Sequence, residues 1–200
     1  LSTQSFSTFK AAPSCVAFSP DGHLLASGHH DQAIRVWNPT TGQLNHTFTG
    51  FDQTPASIDF SPDGLILAVV CGNNLVHLLD LASEHPLTTL ATNGSQTRRA
   101  RFSPDGSRLL TATDSTLELW DVASFLQLWS SPTGASETYD AEFSPDGHSI
   151  VLSLANHRLK RWDVTSGTPN LDVDSFNDTA RDIAFSPDGA SIALGFFGDE

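Results

Sequence analysis

The chain carries 23 carboxylates, eight histidines and two cysteines, the side chains from which acid–base, nucleophilic or metal chemistry is usually built. Their spacing builds none of it. His29 and His30 are adjacent, so they cannot converge on one ion with good geometry, and a solvated loop is the simpler reading. His23, His46, His77, His85, His148 and His157 fall in separate turns and strands. Cys15 and Cys71 stand far apart within apolar runs and read as buried thiols. There is no Cys-x-x-Cys, no phosphate-binding glycine loop and no Gly-x-Ser-x-Gly elbow. No catalytic residue, metal ligand or cofactor is assigned on these grounds, and the expectation is a protein that is not an enzyme.

The carboxylates have another explanation, which lies in the elements that carry them. Phe-Ser-Pro-Asp-Gly occurs five times, led by Phe18, Phe60, Phe102, Phe143 and Phe185, at intervals of 42, 42, 41 and 42 residues. A period of this length marks stacked supersecondary units. Asp21, Asp63, Asp105, Asp146 and Asp188 belong to that motif, and Asp31, Asp80, Asp114, Asp121 and Asp163 occupy other turn positions. The net charge of −13 argues against a nucleic-acid partner. No apolar run approaches the roughly 18 residues that cross a bilayer. The first five residues lack the basic and apolar regions of a signal peptide, so no membrane partner is expected and a cytoplasmic location follows. The absence of methionine and the unequal start and stop within the repeat suggest a piece of a longer polypeptide.

One repeat reads as four short antiparallel strands separated by turn residues. The first runs Ser14 to Phe18 and ends in Ser19-Pro20-Asp21-Gly22, where Pro presets φ and Gly admits a positive φ. The second runs Leu24 to Gly28, the third Ala33 to Trp37, and the fourth Gln43 to Thr49. Six residues before the end of each third strand stands Asp31, Asn73, Asp114 or Asn156, short side chains suited to a turn. Those third strands end on Trp37, Leu79, Trp120 and Trp162, followed by Asn38, Asp80, Asp121 and Asp163.

Phe-Ser-Pro-Asp-Gly together with Trp-Asp at a strand end, on a ~42-residue period, resembles the WD40 repeat family of β-propellers. The resemblance implies an all-β fold of four-stranded blades over 14–49, 56–91, 97–131 and 138–174. A lone fourth strand over 1–8 and the first two strands of a fifth blade over 181–197 complete the division. It also implies a structural network of Trp, Asp, Ser/Thr and His. Ser27, Asp31 and Trp37 fit it in blade 1, and Thr111, Asp114 and Trp120 in blade 3. Blade 2 offers Val69, Asn73 and Leu79, and blade 4 offers Leu152, Asn156 and Trp162. Where the family's His is expected stand Phe9, Phe51, Asn93, Gly134 and Phe176, so stability leans on packing. Each Trp→Ala change is expected to cost about 3 to 5 kcal/mol. An open array also implies exposed apolar ends, with the missing blades of the parent chain as natural partners and an isolated fragment that is unstable or oligomeric.

The function implied is a non-catalytic protein–protein interaction scaffold, with a sensory or autoinhibitory propeller of a larger protein as the alternative. Binding positions carried over from the family lie on the face made by the loops between blades and the loops joining second to third strands. Among them are His30 in blade 1, Gln96 and Arg98 in blade 3, Glu137 and Tyr139 in blade 4, and Arg181 in blade 5. Arg98, Tyr139 and Arg181 occupy equivalent points in consecutive blades and suggest an acidic or phosphorylated partner segment. Arg161 is the oddity, a guanidinium where Val36, Leu78 and Leu119 are apolar.

Overall fold

The computed structural model describes residues 11–173 and 178–196, and every regular element among them is a β-strand. The expected lone strand over 1–8, Phe9, Phe176, and the last residues from 197 to 200 lie outside the described residues. No helix among the described residues is long and apolar enough to cross a membrane.

β1 (Pro13–Phe18), β2 (Leu25–His29), β3 (Ala33–Trp37) and β4 (Leu44–Phe48) form the first antiparallel sheet in sequence order. β5 (Ser57–Phe60), β6 (Ile66–Val70), β7 (Leu75–Asp80) and β8 (His85–Ala91) form the second. β9 (Thr97–Phe102), β10 (Arg108–Thr113), β11 (Thr116–Asp121) and β12 (Gln127–Pro132) form the third. β13 (Thr138–Phe143), β14 (Ser149–Leu154), β15 (Arg158–Asp163) and β16 (Pro169–Val173) form the fourth, and β17 (Ala180–Phe185) pairs with β18 (Ile192–Phe196). The first strands β1, β5, β9, β13 and β17 stand side by side, each against the next.

The repeated motif closes the first hairpin of every sheet by one mechanism. In the first copy the Gly22 N–H donates to the Ser19 carbonyl at 2.9 Å, and Gly22 takes φ +71°. The Ser19 hydroxyl donates to Asp21 at 2.6 Å while the His23 N–H also donates to Asp21, and the Leu24 N–H donates to Ser19 Oγ. The same bonds recur around Asp63, Asp105, Asp146 and Asp188. Those hydroxyl and amide donors hold all five carboxyls below the usual carboxylate range.

Middle strands bury both faces, which is why they read as nearly continuous apolar runs. Leu67 and Val69 pack with Ile34, Val36 and Phe48 of the first sheet, while Ala68 and Val70, pointing the other way, pack with Phe102, Leu109 and Trp120 of the third. Leu110, Leu117 and Leu119 meet Phe143, Ile150, Leu152 and Trp162 between the third and fourth sheets. The core is thus a series of sheet-to-sheet layers. It thins toward the two-stranded end, where Val151 and Leu159 meet Ile183. At the opposite end Val16 and Phe18 are 63% and 62% exposed.

Candidate interaction face

The tryptophans that end the third strands of the first, third and fourth sheets are buried, but their polar partners differ from blade to blade. Trp37 Nε1 donates to Ser27 Oγ at 2.8 Å, and Ser27 Oγ lies 2.8 Å from His29 Nε2. His29 Nδ1 lies 3.1 Å from the Ala11 carbonyl, an acceptor, so Nδ1 carries the proton and Nε2 receives the Ser27 hydroxyl. His29 is therefore buried and bonded, contrary to the expectation of a solvated loop. In the third sheet Trp120 Nε1 donates to Thr111 Oγ1 at 2.9 Å, and the Thr111 hydroxyl donates to Glu118 at 3.0 Å. The second oxygen of Glu118, a fully buried residue, accepts the Asn93 N–H at 2.7 Å. A main-chain amide thus stands where the family's His was expected. Leu152 stands where Ser27 and Thr111 supply a hydroxyl in their sheets, and Trp162 Nε1 donates instead to Ser131 Oγ of β12 at 3.1 Å.

Asp31 and Asp114 do not join the tryptophan networks. Asp31 pairs with both terminal nitrogens of buried Arg35, at 3.0 and 2.6 Å. Asp114 accepts from Arg98 Nε at 2.7 Å and from the Ser95 hydroxyl at 2.9 Å. Asn73 behaves as a turn residue, accepting the Leu75 N–H. The landmark lies in a turn or bend in all four sheets, and the polar atoms of Asp31, Asn73 and Asp114 serve whichever donor is local.

On the loop face two pairs of the expected residues come together. Arg98 spans Asp114 and Glu137, its Nη2 lying 2.8 Å from Glu137 Oε1, so two carboxylates outweigh its single charge. The Arg181 guanidinium lies 4.2 Å above the Tyr139 ring, within cation–π range. Gln96 is positioned beside Arg98 by its carbonyl, which accepts the Asp114 N–H at 3.0 Å. His30 is exposed in the loop after β2, where its N–H donates to the Ala12 carbonyl, and it joins neither pair. Arg161 resolves as a wet edge, its Nε donating to Asn170 at 2.9 Å in an exposed setting.

Sequence reasoning missed a charged ladder along the first strands. Arg99 pairs with Asp140 at 2.9 Å, and Arg101 lies 3.5 Å from Glu142 and donates to Ser57 Oγ at 3.2 Å. Asp59 accepts the Phe102 N–H at 2.8 Å, and Asp140 accepts the Ile183 N–H at 2.9 Å, each stitching one sheet to the next. Burial pushes the Asp59 carboxyl up to about 6 against the pull of Arg101. Burial, with repulsion from Asp140 and Asp59, pushes Glu142 up to about 7 despite Arg101. The signal was available: Asp59, Arg101 and Glu142 each sit one residue before the repeated Phe, in consecutive repeats of alternating sign. A second signal lay two residues before the Trp position, which holds Arg35, His77, Glu118 and Lys160, all polar within an apolar strand. Among the described residues no cluster of three or more His, Cys, Asp or Glu could hold a metal ion.

Four-stranded antiparallel sheets in sequence order, with first strands side by side and a Trp packed at the end of the third strand in three of the four, define a β-propeller array. The family model described as WD domain, G-beta repeat matches residues 2–38, 42–80 and 84–121, more than half of the chain, and the chain belongs to the WD40 family. Each match ends on the residue after the Trp position, and the fourth sheet continues the pattern beyond the last of them. No curated protein matches the chain. WD40 repeats generally mediate protein–protein interaction and are typically non-catalytic scaffolds.

Proposed function

We propose that this chain serves as a non-catalytic interaction platform that engages partner segments on the face made by the loops between sheets and the loops joining second to third strands. The observation that carries the reading is the Arg181 guanidinium stacked on Tyr139, an aromatic and cationic anchor on adjoining sheets. Arg98, Asp114 and Glu137 hold the neighbouring loops in register with it. An acidic or phosphorylated residue is the side chain such an anchor favours, because a planar guanidinium recognises carboxylate and phosphate oxygens in pairs.

Peptides selected from a random phage-displayed library on the 200-residue chain test the reading. They should be enriched in Asp and Glu. Their affinity should fall by about tenfold or more on Arg181→Glu and on Tyr139→Ala, as expected for an interface anchor. Selected peptides that bind both variants as tightly as the parent chain would remove this face from the function.

A further inference from the structure

On the same face, over the first two sheets, opens a concavity of about 510 Å³. Three carboxamides reach it from three different loops: Gln32 after β2, Gln53 after β4 and Gln96 after β8. Its floor includes Gly72, which follows buried Cys71 and takes φ +70°. A Cβ placed on Gly72 would stand 3.5 Å from Gln53 Oε1 and 3.5 Å from Gln96 Nε2. An acceptor and a donor therefore face one point, within twice that distance of each other. No side chain stands between them, because the residue beneath is glycine.

The two amides are held by their own backbones. The Gln96 carbonyl accepts the Asp114 N–H at 3.0 Å, and the following Thr97 N–H donates to the Asn73 carbonyl at 3.0 Å, which pins Gln96 against the loop that carries Gly72. Buried Phe51 and Pro55 flank Gln53, and Phe51 ties its loop to the core between the first two sheets. Among the described residues, none of the three Gln side chains makes a hydrogen bond to another residue.

We propose that this slot clamps the main chain of an extended partner segment, one residue of which donates its N–H to Gln53 Oε1 and accepts at its C=O from Gln96 Nε2. A residue in extended conformation offers both groups on one side, as it does to a neighbouring strand, and a carboxamide supplies either role. The bare Cα of Gly72 lets that main chain approach. Asp52, exposed on the same rim, adds a preference for Lys or Arg beside the clamped residue. No aromatic ring lines the concavity, so it offers no platform for stacking a base, and the net charge of −13 opposes a phosphate backbone. The clamp rests on the interaction-face reading and adds a main-chain contact to the side-chain anchor at Tyr139 and Arg181.

The probes are the phage-selected peptides and their N-methylated derivatives, measured by isothermal titration on the 200-residue chain, on Gln53→Ala and on Gln96→Ala. Methylation of one backbone nitrogen should weaken binding by about tenfold, the loss expected when a buried amide forfeits its acceptor. Gln53→Ala should cost a similar factor, and methylation at that position should cost nothing further in this variant. Gln96→Ala should weaken every peptide while the melting temperature of the protein stays unchanged. Both Gln variants binding like the parent chain, or tolerance of methylation at every position, would overturn the clamp. Loss on Arg181→Glu with no loss on either Gln variant would sink the clamp and leave the interaction face standing. Failure to select any binder would count against both.

Discussion

Asp59 and Glu142 flank Arg101, and both retain protons well above the ordinary carboxylate range. Between about pH 4 and 7 the folded chain therefore binds more protons at these two sites than the unfolded chain does, and stability must fall as pH rises through that window. The turn aspartates act in the opposite sense, contributing stability above the ordinary carboxylate value and losing it in stronger acid. The expected result is a melting temperature that declines from pH 5 to pH 8 and a Glu142→Gln variant in which much of that decline disappears. A pH-independent melting temperature in the parent chain would show that the two carboxyls ionise freely. The Trp120 network gives a second prediction at this scale. Thr111→Val removes the hydroxyl that both accepts from Trp120 and donates to buried Glu118, so it should cost about 1 to 3 kcal/mol by urea denaturation. A variant as stable as the parent would place those polar atoms in contact with water.

At the scale of elements, sheets depend on close approach at their outer loops. Gly167 takes φ +66°, and a Cβ there would meet Trp129 at 2.6 Å, the ring whose Nε1 donates to the Val164 carbonyl across the sheet boundary. Gly147 takes φ +72° but would bring its Cβ no closer than 3.7 Å to Pro104. Both Gly→Ala variants carry the backbone penalty of a positive φ, so their difference isolates the contact. Gly167→Ala should be less stable than Gly147→Ala by about 1 to 3 kcal/mol, the usual cost of overpacking. Equal midpoints would mean that Trp129 moves aside freely. The third strand of the first repeat runs Ala33–Trp37 as the sequence predicts, because alternating apolar residues and the Trp bound it on both sides. The second strand is shifted by one residue, Leu25–His29 in place of the expected Leu24 to Gly28, and the Ser27 hydroxyl holds the His29 ring in the core.

For the whole molecule, layers of sheet against sheet supply the stability, and a Trp in a central layer should matter most. Trp162 is fully buried between the third and fourth sheets and bonds across to Ser131. Trp162→Ala should cost about 3 to 5 kcal/mol, and Ser131→Ala, which leaves the layer filled, should cost about 1 kcal/mol. At the end of the array Val16 and Phe18 present apolar surface to solvent. The 200-residue chain should therefore self-associate with rising concentration in sedimentation velocity, and Phe18→Lys should reduce that association. A chain that stays monomeric at all concentrations would show that this apolar surface is too small to drive contact.

The repeat, the four strands of each unit, their hairpin turns and the sheet-to-sheet core were legible from residue order alone, because period, alternation and turn chemistry are local properties of the chain. The pairings that distinguish one blade from another were not. Glu118 beneath Trp120, Ser131 beneath Trp162, the two acids on Arg98 and the two amides over Gly72 each join residues on separate strands or loops. Hydrogen-bond partners at such sites depend on which side chain a neighbouring sheet brings within about 3 Å, and only the packed structure sets that distance.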